Sequence, residues 1–248
     1  MKPTVCLLLA LVLAGPAVGD TEQSAALRSP AAIEILEKVD RAVKAIHSVR
    51  YDVTTRPGGV AENFASAARG SSILVGWNGT TAEKFYSHVE TKNADTGETV
   101  ELTAGGNGDM YFIIDHQTKK AYEDMDPAVI GSAGRALRGI GMLEFVHDAP
   151  FDDEIGAETV ELLEEETVGG EECYQIHVAY GGGRGETTWF FGKNDFLPRR
   201  RVRHFSNQQG EGTLVIDVTN LETNIKPDES LFLLKLPEGY EQIDDFAP

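Results

Sequence analysis

Cysteine is almost missing from this chain. There are two in 248 residues, and one of them, Cys6, lies inside an apolar leader. That leaves Cys173, which cannot form an internal disulfide, so a disulfide-stapled scaffold is excluded. Cys173 reads as a small buried hydrophobe or a reactive thiol, and no His or Lys flanks it closely to favour the thiolate. Basic residues are scarce too: 22 Lys and Arg against 40 Asp and Glu give a formal charge of −18. Such a surface repels nucleic-acid phosphates and anionic membrane surfaces, so no nucleic-acid partner and no stable membrane insertion are expected. After the leader, no apolar run is long enough to cross a bilayer.

Recognisable catalytic spacing is also lacking. His47, His88, His116, His147, His177 and His204 never pair at His-x-His, His-x3-His or His-Glu-x-x-His intervals, so spacing offers no zinc site and no metal or cofactor is expected. Gly131-Ser132-Ala133-Gly134 lacks the first spacer of a nucleophile elbow. Gly181-Gly182-Gly183-Arg184-Gly185 lacks the Lys-Ser/Thr of a phosphate loop and reads as a hairpin connection. Asp148, Asp152, Asp153 and Glu154 are dense but lack EF-hand spacing, which favours a solvated acidic loop. The chain is not expected to be an enzyme; a hydrolase is the least supported reading.

What is present is a patterned, exported, strand-rich chain. Lys2, the apolar run 5–13 and the small residues Ala17-Val18-Gly19 form a signal-peptide pattern with cleavage before Asp20. Cys6 is misplaced for lipid attachment, so a periplasmic or secreted protein without an anchor is expected, with residues 20–248 as one domain. Ser29-Pro30 opens a helix whose apolar face carries Ala32, Ile35, Leu36, Val39, Val43 and Ile46. Strand patterns follow at 50–55, 67–77, 83–90, 99–103, 110–115 and 121–123, with Pro57-Gly58-Gly59 breaking the first. The segment 110–115 is apolar on both faces. Residues 127–145 are apolar, helix-like and rich in glycine, at about 1 kcal/mol per glycine relative to alanine, which suits a helix that moves. An acidic loop follows, and 158–166 reads as a strand or a short helix. Tyr174, Ile176, Val178 and Tyr180 alternate with polar residues, Trp189-Phe190-Phe191 begins another strand, and Leu214, Ile216 and Val218 alternate again.

The order of these features over residues 173–243 resembles the C-terminal half of the LolA/LolB-like periplasmic lipoprotein carriers. The shared pattern is Trp189, a turn, Pro198, Gly210, the strand 214–218, Asn224, Phe232 and Pro237-Glu238-Gly239. The helix 31–46 running into a strand, and the Gly108-Asp109 to Tyr122 stretch, are similar as well. The expected fold class is α+β, mainly β: an open, strongly curved antiparallel sheet, a half-barrel of about ten strands, covered by an N-terminal helix and central lid helices. The resemblance implies a carrier that holds acyl chains of a lipid or lipoprotein in an apolar cavity between sheet and lid. Its partners would be a lipid or acylated protein and a membrane-bound donor or acceptor protein, and it is expected to be a monomer. The family's lid-anchoring arginine is missing here: the matching region 77–86 offers only Lys84.

The set expected to line such a cavity is Leu74, Phe85, Phe112, Ile114, Tyr122, Phe190, Leu214 and Ile216 from the strands, with Ile130, Leu137 and Leu143 from the lid; each reads equally as plain core. Arg199, Arg201 and Arg203 alternate with Arg200, Val202 and His204, which predicts the first three on one face. They are either cross-strand partners of acidic residues or a patch for a lipid head group or a partner protein. The alternative function is a sensor or protein-interaction module on the same scaffold that moves no lipid.

Overall fold

The computed structural model describes residues 28–77, 82–92, 96–128, 131 and 134–244; the expected signal peptide, 1–19, and Ile130 lie outside them. One helix precedes the sheet, α1 (Pro30–Lys44). Ser29 caps it, its hydroxyl accepting from the Ala32 amide at 3.4 Å, and Pro30 occupies the first turn, where a missing N–H costs nothing. Ala32, Ile35, Leu36, Val39 and Val43 are buried along one stripe, so the helical period of the sequence becomes a single face against the core.

Among the described residues, thirteen strands form one open sheet. They are β1 (Ser48–Gly59), β2 (Ala68–Val75), β3 (Lys84–Lys92), β4 (Thr99–Gly106), β5 (Tyr111–Asp115), β6 (Lys120–Asp124), β7 (Thr159–Leu162), β8 (Glu166–Val168), β9 (Glu171–Ala179), β10 (Glu186–Gly192), β11 (Pro198–Asn207), β12 (Gly210–Thr223) and β13 (Glu241–Gln242). The order is β13-β6-β5-β4-β3-β2-β1-β12-β11-β10-β9-β7, with β8 on β9. Among the described residues, the strand pairings are antiparallel except β13 on β6, and a single parallel bridge joins Arg28 to Val160 of β7. The sheet is an open half-barrel of more strands than expected. The undecided segment 158–166 resolves into β7 and the start of β8.

Proline does not break β1. Pairing with β2 stops at Thr55, whereas pairing with β12 runs on to Gly59. Pro57 therefore sits where one side of the strand is already free, and its missing amide breaks no ladder bond on that side.

The inner face holds the main core. Val49, Tyr51 and Val53 of β1, Val89 of β3, Ala104 of β4, Ile113 of β5, Ile176 and Val178 of β9, Trp189 and Phe191 of β10, and Ile216 and Val218 of β12 are buried there. Over them runs the segment between β6 and β7, with short helices α2 (Gly134–Arg138) and α3 (Asp152–Ile155) and a 3-10 turn (Leu143–Val146). Of the glycine-rich helix expected at 127–145, Ala128, Gly131 and Gly134–Arg138 are helical among the described residues, and its end is the 3-10 turn Leu143–Val146. Ile140, Met142, Phe145 and Phe151 from this lid are buried against the sheet. Phe145 meets Tyr51 at 5.3 Å, and Phe151 meets Trp189 at 5.3 Å and Phe191 at 5.4 Å, both edge-on, a favoured ring geometry.

The outer face has two smaller cores. Phe112, Ile114 and Ala121 lie beneath Tyr86, Leu234 and Tyr240, so the C-terminal segment covers the back of β5 and β6. This is why 110–115 is apolar on both faces: each face has its own cover. Val168, Cys173 and Phe190 pack with Val202 at the other end. Cys173 is buried, and burial raises its thiol above the usual range, the behaviour of a packed hydrophobe. No helix among the described residues is long and apolar enough to cross a membrane.

The lid aromatics should be among the most costly to truncate. Phe151→Ala is expected to lower stability by about 3–5 kcal/mol in urea titrations, whereas Phe64→Ala, at an exposed ring, should cost under about 1 kcal/mol. Similar losses in both would contradict the lid as part of the core.

Candidate functional site

The strand β11 organises the site, and a bulge decides how. Phe190 pairs with Arg200 and Phe191 with Pro198, leaving Arg199 as an extra residue. A bulge breaks the two-residue alternation and re-aims side chains. Arg199 thus leaves the face expected for it. It is buried at the hairpin end, bonded to Glu171 at 2.9 Å and Asp195 at 2.6 Å. Its role is the cross-strand pairing that the sequence left open. Arg200 binds Asp217 at 2.5 Å and lies over the outer-face ring of Phe190.

Arg201 and Arg203 remain on the inner side, opposite Ile216 and Leu214 of β12. Both line a cleft of about 490 Å³ with Glu144, Glu154, Tyr180 and Trp189. Arg201 stacks over the Trp189 ring, 5.3 Å from its centroid, and binds Glu144 of the lid at 2.6 Å. Both side chains are only 18% exposed. Arg201 Nε and the second Glu144 oxygen are buried with no hydrogen-bond partner. An ion pair half satisfied in this way holds geometry more than it adds stability. Arg203 is exposed, packs against the Phe205 ring at 5.5 Å and makes no ion pair among the described residues.

The floor of the cleft is polar. Glu154, on α3, is buried, and its Oε1 accepts from the Tyr180 hydroxyl at 2.6 Å and the Trp189 indole at 3.3 Å. Burial holds its carboxyl above the usual range, against the Tyr180 hydrogen bond, and Glu144 adds to the rise. Burial, then the Glu154 charge, raises Tyr180 as well. A second tie lies deeper. The Tyr51 hydroxyl donates to the Ile140 carbonyl at 3.4 Å and accepts from the Met142 amide at 3.1 Å. Burial pushes this phenol up to about 12, so it stays protonated. The Thr55 hydroxyl donates to the Gly139 carbonyl.

The expected cavity residues separate. Leu74 and Ile216 are buried in the main core; Phe85, Tyr122 and Leu137 pack against it half-buried. Leu214 is half-buried opposite Arg203. Leu143 lies at the rim of the cleft, 62% exposed. Phe112, Ile114 and Phe190 are corrected: alternation places them on the outer face, where they belong to the two smaller cores and cannot line a space beneath the lid. Tyr51, Glu144 and Tyr180 were missed as site residues, because nothing local in the sequence signals their meeting; Glu154, expected in a solvated acidic loop, is instead buried on α3. The sequence also missed a cluster on the outer face, where β3, β4 and the end of β5 bring His88, Glu101 and His116 together. Burial lowers His116 below the ordinary imidazole range.

No family model matches the chain, and no curated protein sequence does. Among solved structures, LprF from Mycobacterium bovis matches with a TM-score of 0.51 at 14% identity, over 87% of this chain and 100% of that one. The Mycobacterium tuberculosis lipoprotein LppX gives 0.47 at 12% identity, over 81% and 100%. MucB in the Pseudomonas aeruginosa MucA/MucB complex gives 0.43 at 12%, over 83% and 61%. The likeness to LprF bears out the fold expected from the resemblance, and the fold alone.

Glu154 gives the site a pH signature. Its folded pKa lies above the unfolded one, so the folded state holds the proton longer. The carboxyl's contribution is full below the unfolded pKa and is lost as pH rises through the folded value. Glu154→Gln keeps the acceptor for Tyr180 and removes the titration. Its stability advantage over the unmodified protein should grow above about pH 4.5 and level off, by about 1.4 kcal/mol for each unit of elevation. Thermal unfolding from acid to neutral pH checks this, and a constant difference would contradict it.

Proposed function

We propose that this protein binds the acyl chain of a lipid or acylated protein between the inner face of its sheet and the lid, as a carrier and not an enzyme. The observation that carries the reading is the lid itself. Ile140, Met142, Phe145 and Phe151 fill the concave face from a segment whose described elements are short helices and a 3-10 turn. The polar contacts that tie this segment to the sheet are Tyr51 to Ile140 and Met142, Thr55 to Gly139, Arg201 to Glu144, and Tyr180 and Trp189 to Glu154. When the lid swings out, it uncovers an aromatic and aliphatic surface. An acyl chain replaces the lid's side chains at about 0.8 kcal/mol per buried methylene. The closed form is the ligand-free state of a two-state equilibrium, and ligand shifts it by its preference for the open one.

The cleft beside Trp189 lies at the lid edge, where a head group would emerge. Arg203 offers a free guanidinium to a phosphate or carboxylate there. Arg201 takes the place of the lid-tying arginine that the early strands lack, from a late strand. The unusually acidic surface favours departure from an anionic membrane after loading.

Protein exported to a bacterial periplasm and purified without detergent should yield a stoichiometric lipid or acylated peptide on organic extraction and mass spectrometry. Glu144→Gln should weaken the closed lid. Each 1.4 kcal/mol of latch lost raises the open fraction about tenfold, so uptake of a fluorescent fatty acid should become faster. A clean extract together with no uptake by either protein would overturn the carrier reading in favour of a protein-binding module.

A further inference from the structure

The outer face carries a constellation unrelated to the lid. His88 on β3, Glu101 on β4 and His116 just after β5 each present one ligand atom within 4.8 Å of the other two. The His88 Nε2 to Glu101 Oε1 separation is 3.4 Å. Tetrahedral zinc, with bonds of about 2.0–2.1 Å, sets its donors roughly 3.3 Å apart, so one edge of the site already has the required length. The His116 ligand atom lies within 4.8 Å of both.

Three further features separate this cluster from a chance meeting of polar side chains. The ligands stand on neighbouring strands, and the His116 amide donates to the Glu101 carbonyl at 3.1 Å, so the backbone fixes their spacing. The ring nitrogens that would face away from a metal already have partners: His88 Nδ1 with the Thr103 hydroxyl and His116 Nδ1 with the Tyr240 hydroxyl, both at 3.0 Å. Such outer partners fix the tautomer that leaves Nε2 free to ligate. In addition, His116 Nε2 lies 2.8 Å from the Thr103 hydroxyl, a neutral contact that a metal bond would replace at little loss.

We propose that His88 Nε2, His116 Nε2 and the Glu101 carboxylate form a zinc site on the outer face, with Thr103 and Tyr240 as positioning residues. Two imidazoles and one carboxylate suit zinc over calcium or magnesium, which prefer all-oxygen sets. The fourth position is left for water or a carboxylate from a partner. Tyr240 lies on the C-terminal segment that covers Phe112 and Ile114, so the metal would fasten that segment to the back of the sheet. This inference does not depend on the lipid-binding reading.

The test uses the untagged full chain, stripped with chelator and titrated with cobalt(II) and then zinc. One equivalent of cobalt should give the visible absorption of a four-coordinate ion, and zinc should displace it. His116→Gln and Glu101→Gln should each weaken binding at least tenfold, and Thr103→Val should weaken it severalfold while leaving one equivalent. In the unmodified folded protein, zinc should move the His88 and His116 ring resonances together and leave those of His204 in place. This second measurement decides the matter if a variant fails to fold. Absence of saturable binding, binding unchanged by both ligand substitutions, or ring shifts shared equally by all the histidines would each overturn the proposal.

Discussion

An open sheet has two faces, and the apolar one must be covered by the same chain that made it. Here the inner face is the larger debt: Tyr51, Ile113, Ile176, Trp189, Phe191 and Ile216 point to one side, and at about 25 cal/mol per Å² water cannot be left against them. Helix α1 covers part of that surface and the lid covers the rest. The lid's apolar side chains are therefore needed for folding, and under the proposed function they occupy the surface an acyl chain would take. On that proposal, stability and ligand binding compete for one surface. Under the proposed function, that competition makes a cover of short elements, such as Gly134–Arg138 and Asp152–Ile155, suitable, because it could reopen without unfolding a long helix.

The chain's alternation was legible where strands run straight and have one cover. Tyr174, Ile176 and Val178 announce β9, and the helical stripe from Ala32 to Val43 announces α1. It failed where a second cover or a bulge intervened. Phe112 and Phe190 are as apolar as Ile113 and Phe191, so composition cannot say which face is the inner one; only the C-terminal segment and β8, arriving from far along the chain, settle it. One inserted residue at Arg199 turned a three-arginine stripe into a buried structural cation and a two-arginine cleft edge. Pro57 misled for a related reason, since a proline stops a strand only where both sides are paired.

Spacing rules also look for ligands on one element, and this fold assembles its polar sites across several. His88, Glu101 and His116 meet through two strand registers, which no local interval reveals. Glu154, Tyr180 and Trp189 meet through a lid helix, the end of β9 and β10. Both groups combine long sequence separation with short distance, the usual condition for polar chemistry carried on a sheet.

The lid contacts differ in what opening them requires. The Tyr51 hydroxyl sits between a carbonyl and an amide of the lid and stays neutral across the physiological range, so no change of pH releases it. The Arg201 pair is different. Its guanidinium is held between the Glu144 carboxylate and the Trp189 ring, with one donor and one acceptor left over. An incoming anionic group can replace Glu144 there and satisfy the spare Nε donor, which the closed lid does not do. A ligand with an anionic head and an apolar tail would then gain at both ends by opening the lid, and a purely apolar one only at the tail. If the protein carries lipid as proposed, the geometry of this one ion pair would favour amphiphiles over simple hydrocarbons.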